Sequence, residues 1–322
     1  MTRVTRALRS EPARSSSTVP PVEVERAKPS TLRRRRAIAG WGFALPFVVV
    51  FSVFSLLPLV SSFAMSFTDL TIKDLRTPFD VNFVAFDQFI ALFHDDLFLK
   101  SIRNTGYFVV FTIPLTMVLG LLLALALNSA ITRFRTLFRV GFYTPVVTSI
   151  VAIAIVWGFI LQPDGLLNEG LSSIGITGPD WLHDTNTAMP ALILMSAWRN
   201  MGNAMILFLA GLQGVPAETY EAAMVDGANA WQRFTRITLP LLRPTLLLVA
   251  VILSIGCLQF FEEPFVMTGG GPLNSTRSMS YFVYDQFGYG NYSYGTAAAY
   301  VLFIVIVAFS LIQFRLLSSK ED

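Results

Sequence analysis

Apolar stretches long enough to cross a lipid bilayer recur along this chain, and they constrain its fold more than any other feature. A spanning helix needs about 20 mostly apolar residues, because the hydrocarbon core is about 30 Å thick and each helical residue rises about 1.5 Å. Six stretches meet that length, at about 41–63, 105–127, 142–161, 188–212, 246–265 and 296–316. Hydrophobic residues make up 53% of the chain and charged residues 14%, with a mean hydropathy of +0.58, well outside the mix of a soluble globular domain. The expected fold class is an all-α membrane protein with six transmembrane helices. The first stretch follows Arg33–Arg36 as a signal peptide would, but it exceeds an h-region of about 7–15 residues and contains Pro46 and Pro58, so it reads as a retained helix.

The charges between these stretches orient them. Short loops rich in Lys and Arg stay in the cytoplasm. Residues 1–38 are basic and rich in proline and serine, with too little apolar surface to fold alone, and read as a disordered cytoplasmic tail rather than a nucleic-acid-binding arm. Arg133, Arg135 and Arg139, then Arg233, Arg236 and Arg243, and finally Arg315 and Lys320 fall on the same side as that tail. The opposite loops, at about 68–104, 162–187 and 266–295, hold many acids and only Lys73, Arg76, Lys100, Arg103 and Arg277. The expectation is a membrane domain over 39–318, both termini cytoplasmic, a cytoplasmic loop at about 214–243 and a short tail at 319–322.

Several chemistries lack their parts. Cys257 is the sole cysteine, and His94 and His183 are the sole histidines, far apart in sequence, so neither a metal centre nor a Ser-His-Asp arrangement is expected. Of the adjacent acid pairs, Asp95-Asp96 lies in a loop directly after His94 and Glu262-Glu263 has no histidine nearby in sequence; neither has a further metal-ligand companion, which argues against a membrane-embedded enzyme. A phosphate-cradling loop needs Gly-x-x-x-x-Gly-Lys-Ser/Thr, and none of Lys28, Lys73, Lys100 or Lys320 has those surroundings. The chain is expected to have no catalytic residues and to bind no nucleotide, metal or other cofactor itself.

The cytoplasmic loop is unusual for its place. Pro216 suits a helix start, Glu218 and Glu221 favour the positive end of a helix dipole, and Asp226-Gly227 can break the helix before Asn229 caps a second one. Helical spacing puts Tyr220, Ala223, Met224 and Gly227 on one face and Glu218, Ala222 and Val225 on another. A helix lying on lipid headgroups would carry Lys or Arg on its polar face, and residues 216–230 contain none, so a basic protein partner is the better match. Pro240 and Pro244 mark the turn into the fifth stretch.

Glu221-Ala222-Ala223, Asp226-Gly227-Ala228 and Ile237 with Leu239-Pro240 resemble the EAA loop of permease subunits in binding-protein-dependent ABC importers. Leu57-Pro58-Leu59, Ser66-Phe67-Thr68-Asp69, Tyr143-Thr144-Pro145, Pro163-Asp164-Gly165, Ala210-Gly211-Leu212-Gln213 and Thr268-Gly269-Gly270-Gly271-Pro272 extend the likeness over nearly everything after residue 40. Together they resemble the carbohydrate-uptake branch, the maltose-type and glycerol-phosphate-type permeases.

That resemblance implies the type I importer permease fold in a bacterial inner membrane, and a role as half of a translocation pathway for a sugar or related polyol. It further implies a second homologous permease, two ATPase subunits that use ATP and magnesium, an extracytoplasmic solute-binding protein facing the Gly269–Gly271 loop, and membrane lipid around the chain. Glu221 would contact the ATPase, Ala222, Ala223 and Ala228 would allow close approach, and Gly227 would set the bend, with Asp226 also among the coupling residues. The alternative cargo is glycerol 3-phosphate or a glycerophosphodiester; an autonomous carrier would leave the EAA loop unexplained.

Within the stretches, Arg199 stands out, since a central arginine costs about 2.5–3.5 kcal/mol on insertion scales. It reads either as a pathway residue, with Trp198 offering a ring face and Asn200 beside it, or as one half of an ion pair with Glu262 or Glu263. Gln259 and Asn203 are lesser pathway candidates, because lone amides in a span commonly bond to neighbouring helices.

Overall fold

A computed structural model describes residues 30–77, 81–129 and 134–317. The chain divides into two compact units, Met1–Pro58 and Leu59–Asp322. Helix α1 (Ser30–Phe51) belongs to the first, and a π-helical turn at Ser52–Leu56 leads from it to α2 (Leu57–Met65). Residues 30–38, expected in a disordered tail, are helical instead. Local composition accounts for it, since arginine, leucine and alanine are good helix formers. Residues 1–29 of that tail, and the 319–322 segment, lie outside the described residues.

The second unit continues with α3 (Asp87–Phe93), α4 (Asp96–Ser129), α5 (Arg135–Val147), α6 (Ile150–Ile160), α7 (Leu166–Ser173) and α8 (Ala188–Gln213). The cytoplasmic-loop region forms α9 (Ala217–Val225), α10 (Ala230–Arg233) and, after a π-helical turn, α11 (Leu239–Leu241). Then come α12 (Arg243–Leu258), α13 (Glu262–Met267), α14 (Met279–Gly288) and α15 (Tyr292–Leu317).

Among the described residues four helices, Ala39–Met65, Asp96–Asn128, Ala188–Gln213 and Tyr292–Arg315, are long and apolar enough to cross a membrane, and the number is up to six if each of two bent pairs is one span. The third stretch, expected as a single span, is the first of those bent pairs; the fifth supplies only the second arm of the other, whose first arm belongs to the 214–243 loop. Arg135–Val147 and Ile150–Ile160 meet at 99°. Pro145 removes a backbone donor and Thr148 and Ser149 are extended, with ψ of 146° and 126°, so the ladder stops there. Where the loop enters the fifth stretch, Ala230–Leu241 and Arg243–Leu258 meet at 66°, at Leu242 between Pro240 and Pro244. That helix also ends at Leu258 rather than running to 265, and Glu262 starts a separate short helix.

Helix α8 is the hub, packed against α4, α5 and α12. Phe108, Leu192, Met205, Phe208 and Val249 are all but inaccessible at this centre. Small residues let the backbones approach, as is usual where lipid rather than water surrounds helices. At Gly202 an added Cβ would lie 2.1 Å from the Phe142 carbonyl oxygen of α5. Gly202→Ala is therefore expected to cost roughly 1–3 kcal/mol through overpacking. It should lower the midpoint of thermal unfolding in detergent; an unchanged midpoint would mean that α5 and α8 do not touch at this point. A second cluster, with Leu92, Phe98, Phe282 and Ala298 buried, joins α3 and the start of α4 to α14 and α15.

Candidate functional site

Helix α8 carries Ser196, Arg199, Asn200 and Asn203 at helical spacing, which places them on one stripe. That stripe lines a cavity of about 320 Å³, closed on the other side by α12 and the break that follows it. Gln259, Glu262 and Glu263 reach the same cavity because the helix stops at Leu258 and the chain turns through Gln259–Phe261. Phe260 is stacked on Phe108 of α4, with ring centroids 3.8 Å apart and planes 5° from parallel, and both rings also line the cavity. Six of the seven residues anticipated as pathway lining thus converge.

Trp198 is the exception. It packs against Trp157, with centroids 5.6 Å apart, beside Ile153, Ala154 and Met195. At about 100° per residue, Trp198 falls on the side of α8 opposite the Ser196–Arg199–Asn200–Asn203 stripe. Ser196, Phe108 and Phe260 were missed from sequence. Ser196 was findable from its spacing to Asn200 and Asn203; the aromatic pair comes from segments about 150 positions apart in sequence and left no local signal.

The polar atoms of the cavity are incompletely used. Glu263 is 5% exposed, and its Oε1 accepts a 3.3 Å hydrogen bond from Ser196 Oγ while Oε2 is buried without a partner. Arg199 Nε is likewise buried and unpartnered. Among the described residues no salt bridge joins Arg199 to Glu262 or Glu263, so the anticipated ion pair is not made here. Asn200 Nδ2 donates to Ser196 O at 2.8 Å, and Gln259 Nε2 to Ile255 O at 3.2 Å, which leaves their carbonyl oxygens available. The cavity therefore presents donors and acceptors of both charges to whatever enters it. The described residues contain no cluster of His, Cys, Asp and Glu that could hold a metal ion.

The 214–243 region forms a second candidate surface. Pro216 is the N-cap of α9, with ψ of 134°, rather than its first helical residue. Gly227 has φ of +78°, a conformation that residues with a Cβ rarely adopt, and nothing else crowds it, so the bend itself requires glycine there. Asn229 and Gln232 form a reciprocal capping box that starts α10. Tyr220 Oη lies 3.0 Å from Thr238 Oγ1 and ties the two arms together. Glu221, Ala222, Asp226 and Gly227 are exposed, while Ala223 and Ala228 are half-buried beneath them. Glu221 makes no hydrogen bond or ion pair among the described residues. Around it Met224, Val225 and Trp231 are 51%, 89% and 71% exposed, an apolar patch of the kind that marks a contact surface.

At the other end of the bundle Thr276 ties down the Thr268–Pro272 loop, with its Oγ1 2.7 Å from Thr268 Oγ1 and donating to Gly271 O at 2.8 Å, and the segment after it is anchored too. Arg277 pairs with Asp285 at 2.7 Å and sits 5.2 Å over the Tyr281 ring. Burial pushes the Asp285 carboxyl up from its ordinary value, and the Arg277 charge opposes that. Asn104 Nδ2 donates to Asn274 O and Arg277 O at 2.8 and 2.9 Å.

Comparison with known proteins matches residues 116–320 to a family described as the binding-protein-dependent transport system inner membrane component. The lactose transport system permease protein of Rhizobium radiobacter is 34% identical over 291 residues, 88% of this chain and 96% of that one. The arabinooligosaccharides transport system permease protein of Bacillus subtilis is 35% identical over 281 residues, 86% of this chain and 88% of that one. Among solved structures, a bacterial ABC transporter involved in the import of the acidic polysaccharide alginate superposes with a TM-score of 0.77 at 26% identity, covering 90% of this chain and 99% of that one. Its complex with an alginate pentasaccharide-bound periplasmic protein gives a TM-score of 0.76, at 26% identity over 88% of this chain and 95% of that one.

Proposed function

The chain belongs to the binding-protein-dependent transport system inner membrane component family, and from that premise we propose that it forms half of the translocation pathway of an ABC importer for a carbohydrate or related polyol. The observation that carries the cargo class is the membrane cavity. Its Arg199, Asn200, Asn203 and Glu263 offer the mixed donors and acceptors that hydroxyl groups satisfy, at a depth where an unmet polar group is costly. The sugar transport roles of the relatives support the same class. Glycerol 3-phosphate or a glycerophosphodiester is the weaker fit. Its phosphate would find a single cation, Arg199, in a cavity otherwise lined by carboxyl, amide and hydroxyl groups that suit a neutral polyol.

The remaining parts follow from the transport reading. The α9–α10 segment is the surface for a separate ATPase, which alone handles ATP and magnesium. Its exposed, unpaired Glu221 and the apolar patch around it support that role. A second permease subunit completes the pathway, since alternating access needs two halves moving about a central site. A solute-binding protein delivers cargo at the Thr268–Pro272 end, as a periplasmic protein does in the alginate complex. The distribution of Lys and Arg supports cytoplasmic termini and a cytoplasmic α9–α10 segment.

The test is ATP hydrolysis by the assembled complex in lipid nanodiscs, with its solute-binding protein offered neutral oligosaccharides or glycerol 3-phosphate. Neutral saccharides are expected to stimulate hydrolysis several-fold and glycerol 3-phosphate not at all. Stimulation by the phosphate alone would overturn the carbohydrate assignment.

A further inference from the structure

Lys100, Arg103, Asn104 and Tyr107 stand at i, i+3, i+4 and i+7 on α4, which puts them on one helical face. That face lines a cavity of about 440 Å³ beside the Thr268–Pro272 loop, separate from the membrane cavity already described. Ser275, and Thr185 with Asn186 ahead of α8, contribute polar groups to its other walls. Two cations line it, and no carboxylate does among the described residues. Nearby Asp184 is engaged with the backbone N–H of Asn186 at 2.8 Å.

The groups in this cavity have capacity to spare. Lys100 Nζ spends one of its three donors on Leu273 O, at 2.6 Å. Arg103 is exposed and has no hydrogen bond or ion pair among the described residues, in contrast to Arg277, which pairs with Asp285. Ser275 Oγ is buried without a partner. Leu273 and Asn274 hold φ of +48° and +59°, a strained backbone kept in place by the bonds from Lys100 and Asn104. The cations lie on the side of the membrane where Lys and Arg are scarce, next to the start of the apolar part of α4.

We infer that this cavity is an oxyanion-binding site, with Arg103 and Lys100 clasping a phosphate group and Ser275 donating a third hydrogen bond. Guanidinium and ammonium donors at this spacing suit phosphate. The phosphate belongs either to an anionic phospholipid headgroup, for which Tyr107 is placed as an interfacial ring, or to a free phosphate in solution.

The experiment uses the full chain in nanodiscs and two readouts. Native mass spectrometry measures retention of phosphatidylglycerol against phosphatidylcholine, and calorimetry measures inorganic phosphate binding in phosphatidylcholine alone. Arg103→Gln leaves every contact among the described residues intact, so folding is preserved, and Ser275→Ala is the second variant. The expected result is a preference for phosphatidylglycerol, or binding of inorganic phosphate, that falls about tenfold or more in Arg103→Gln, as loss of a charged hydrogen bond does. Retention of phosphatidylglycerol without inorganic phosphate binding assigns the headgroup, and the converse assigns a soluble phosphate. Equal retention of the two lipids with no phosphate binding overturns the site. So does loss of either signal in Arg199→Gln but not in Arg103→Gln, which would put the anion in the membrane cavity. None of these readouts requires transport, so they stand apart from the cargo assignment.

Discussion

Replacing Glu221 by lysine is expected to reduce coupled uptake about 100-fold or more while the chain still inserts in the membrane. The side chain is exposed, has no partner among the described residues, and sits beside Met224 and Val225 on the helix before the Gly227 bend. On the proposed coupling role, this surface would meet a basic partner. Reversing the charge then does two things: it removes a contact, and it sets like charges together in a closing interface. Charge juxtapositions of that kind cost several kcal/mol, and about 2.7 kcal/mol already corresponds to 100-fold. The measurement is uptake into proteoliposomes, with copurification of the ATPase as a second readout. Loss of copurification and retained copurification without uptake both agree with a coupling role. Wild-type uptake by Glu221→Lys with its ATPase bound would remove that role. Glu218→Lys, one turn earlier and likewise exposed, is the control for a general effect of added positive charge on the α9 surface.

The helix-bend-helix geometry of the 214–243 segment was legible because its determinants are local. Asn229 caps the helix it was expected to cap, and Gly227 has the positive φ that only glycine adopts readily. Length and hydropathy likewise located the six apolar stretches. The breaks were harder to see. A proline such as Pro145 can also sit inside a membrane helix, because neighbouring helices can satisfy freed backbone groups, so its presence did not by itself reveal the 99° bend at Thr148-Ser149. The same holds at Gln259–Phe261, where the stacking of Phe260 on Phe108 accompanies the end of α12. Trp198 was misplaced for a different reason: adjacency in sequence was taken as adjacency in space, against the helical period. The start of the first helix at Ser30 shows the converse, a segment of good helix formers whose basic charge suggested disorder.

Arg199 and Glu263 are the residues whose roles packing alone leaves contrasting outcomes for, and a double-mutant cycle separates them. If the two were a structural ion pair, removing one charge would strand the other in a low-dielectric site, and removing both would restore much of the loss. In this structure they are not bonded to each other, and each keeps a buried atom without a partner in the same cavity. Arg199→Gln and Glu263→Gln are therefore each expected to lower uptake roughly 10- to 100-fold, as loss of a hydrogen bond to a charged group does. The double variant should lose about the product of the two rather than recover. Thermal unfolding in detergent supplies the second axis, because a ligand role predicts little change in stability and a structural pair predicts loss in each single variant with rescue in the double. Recovery of uptake and of the unfolding midpoint in the double variant would make the pair a brace between α8 and α13. Additive loss of uptake with steady midpoints would make both side chains part of the surface that the cargo crosses.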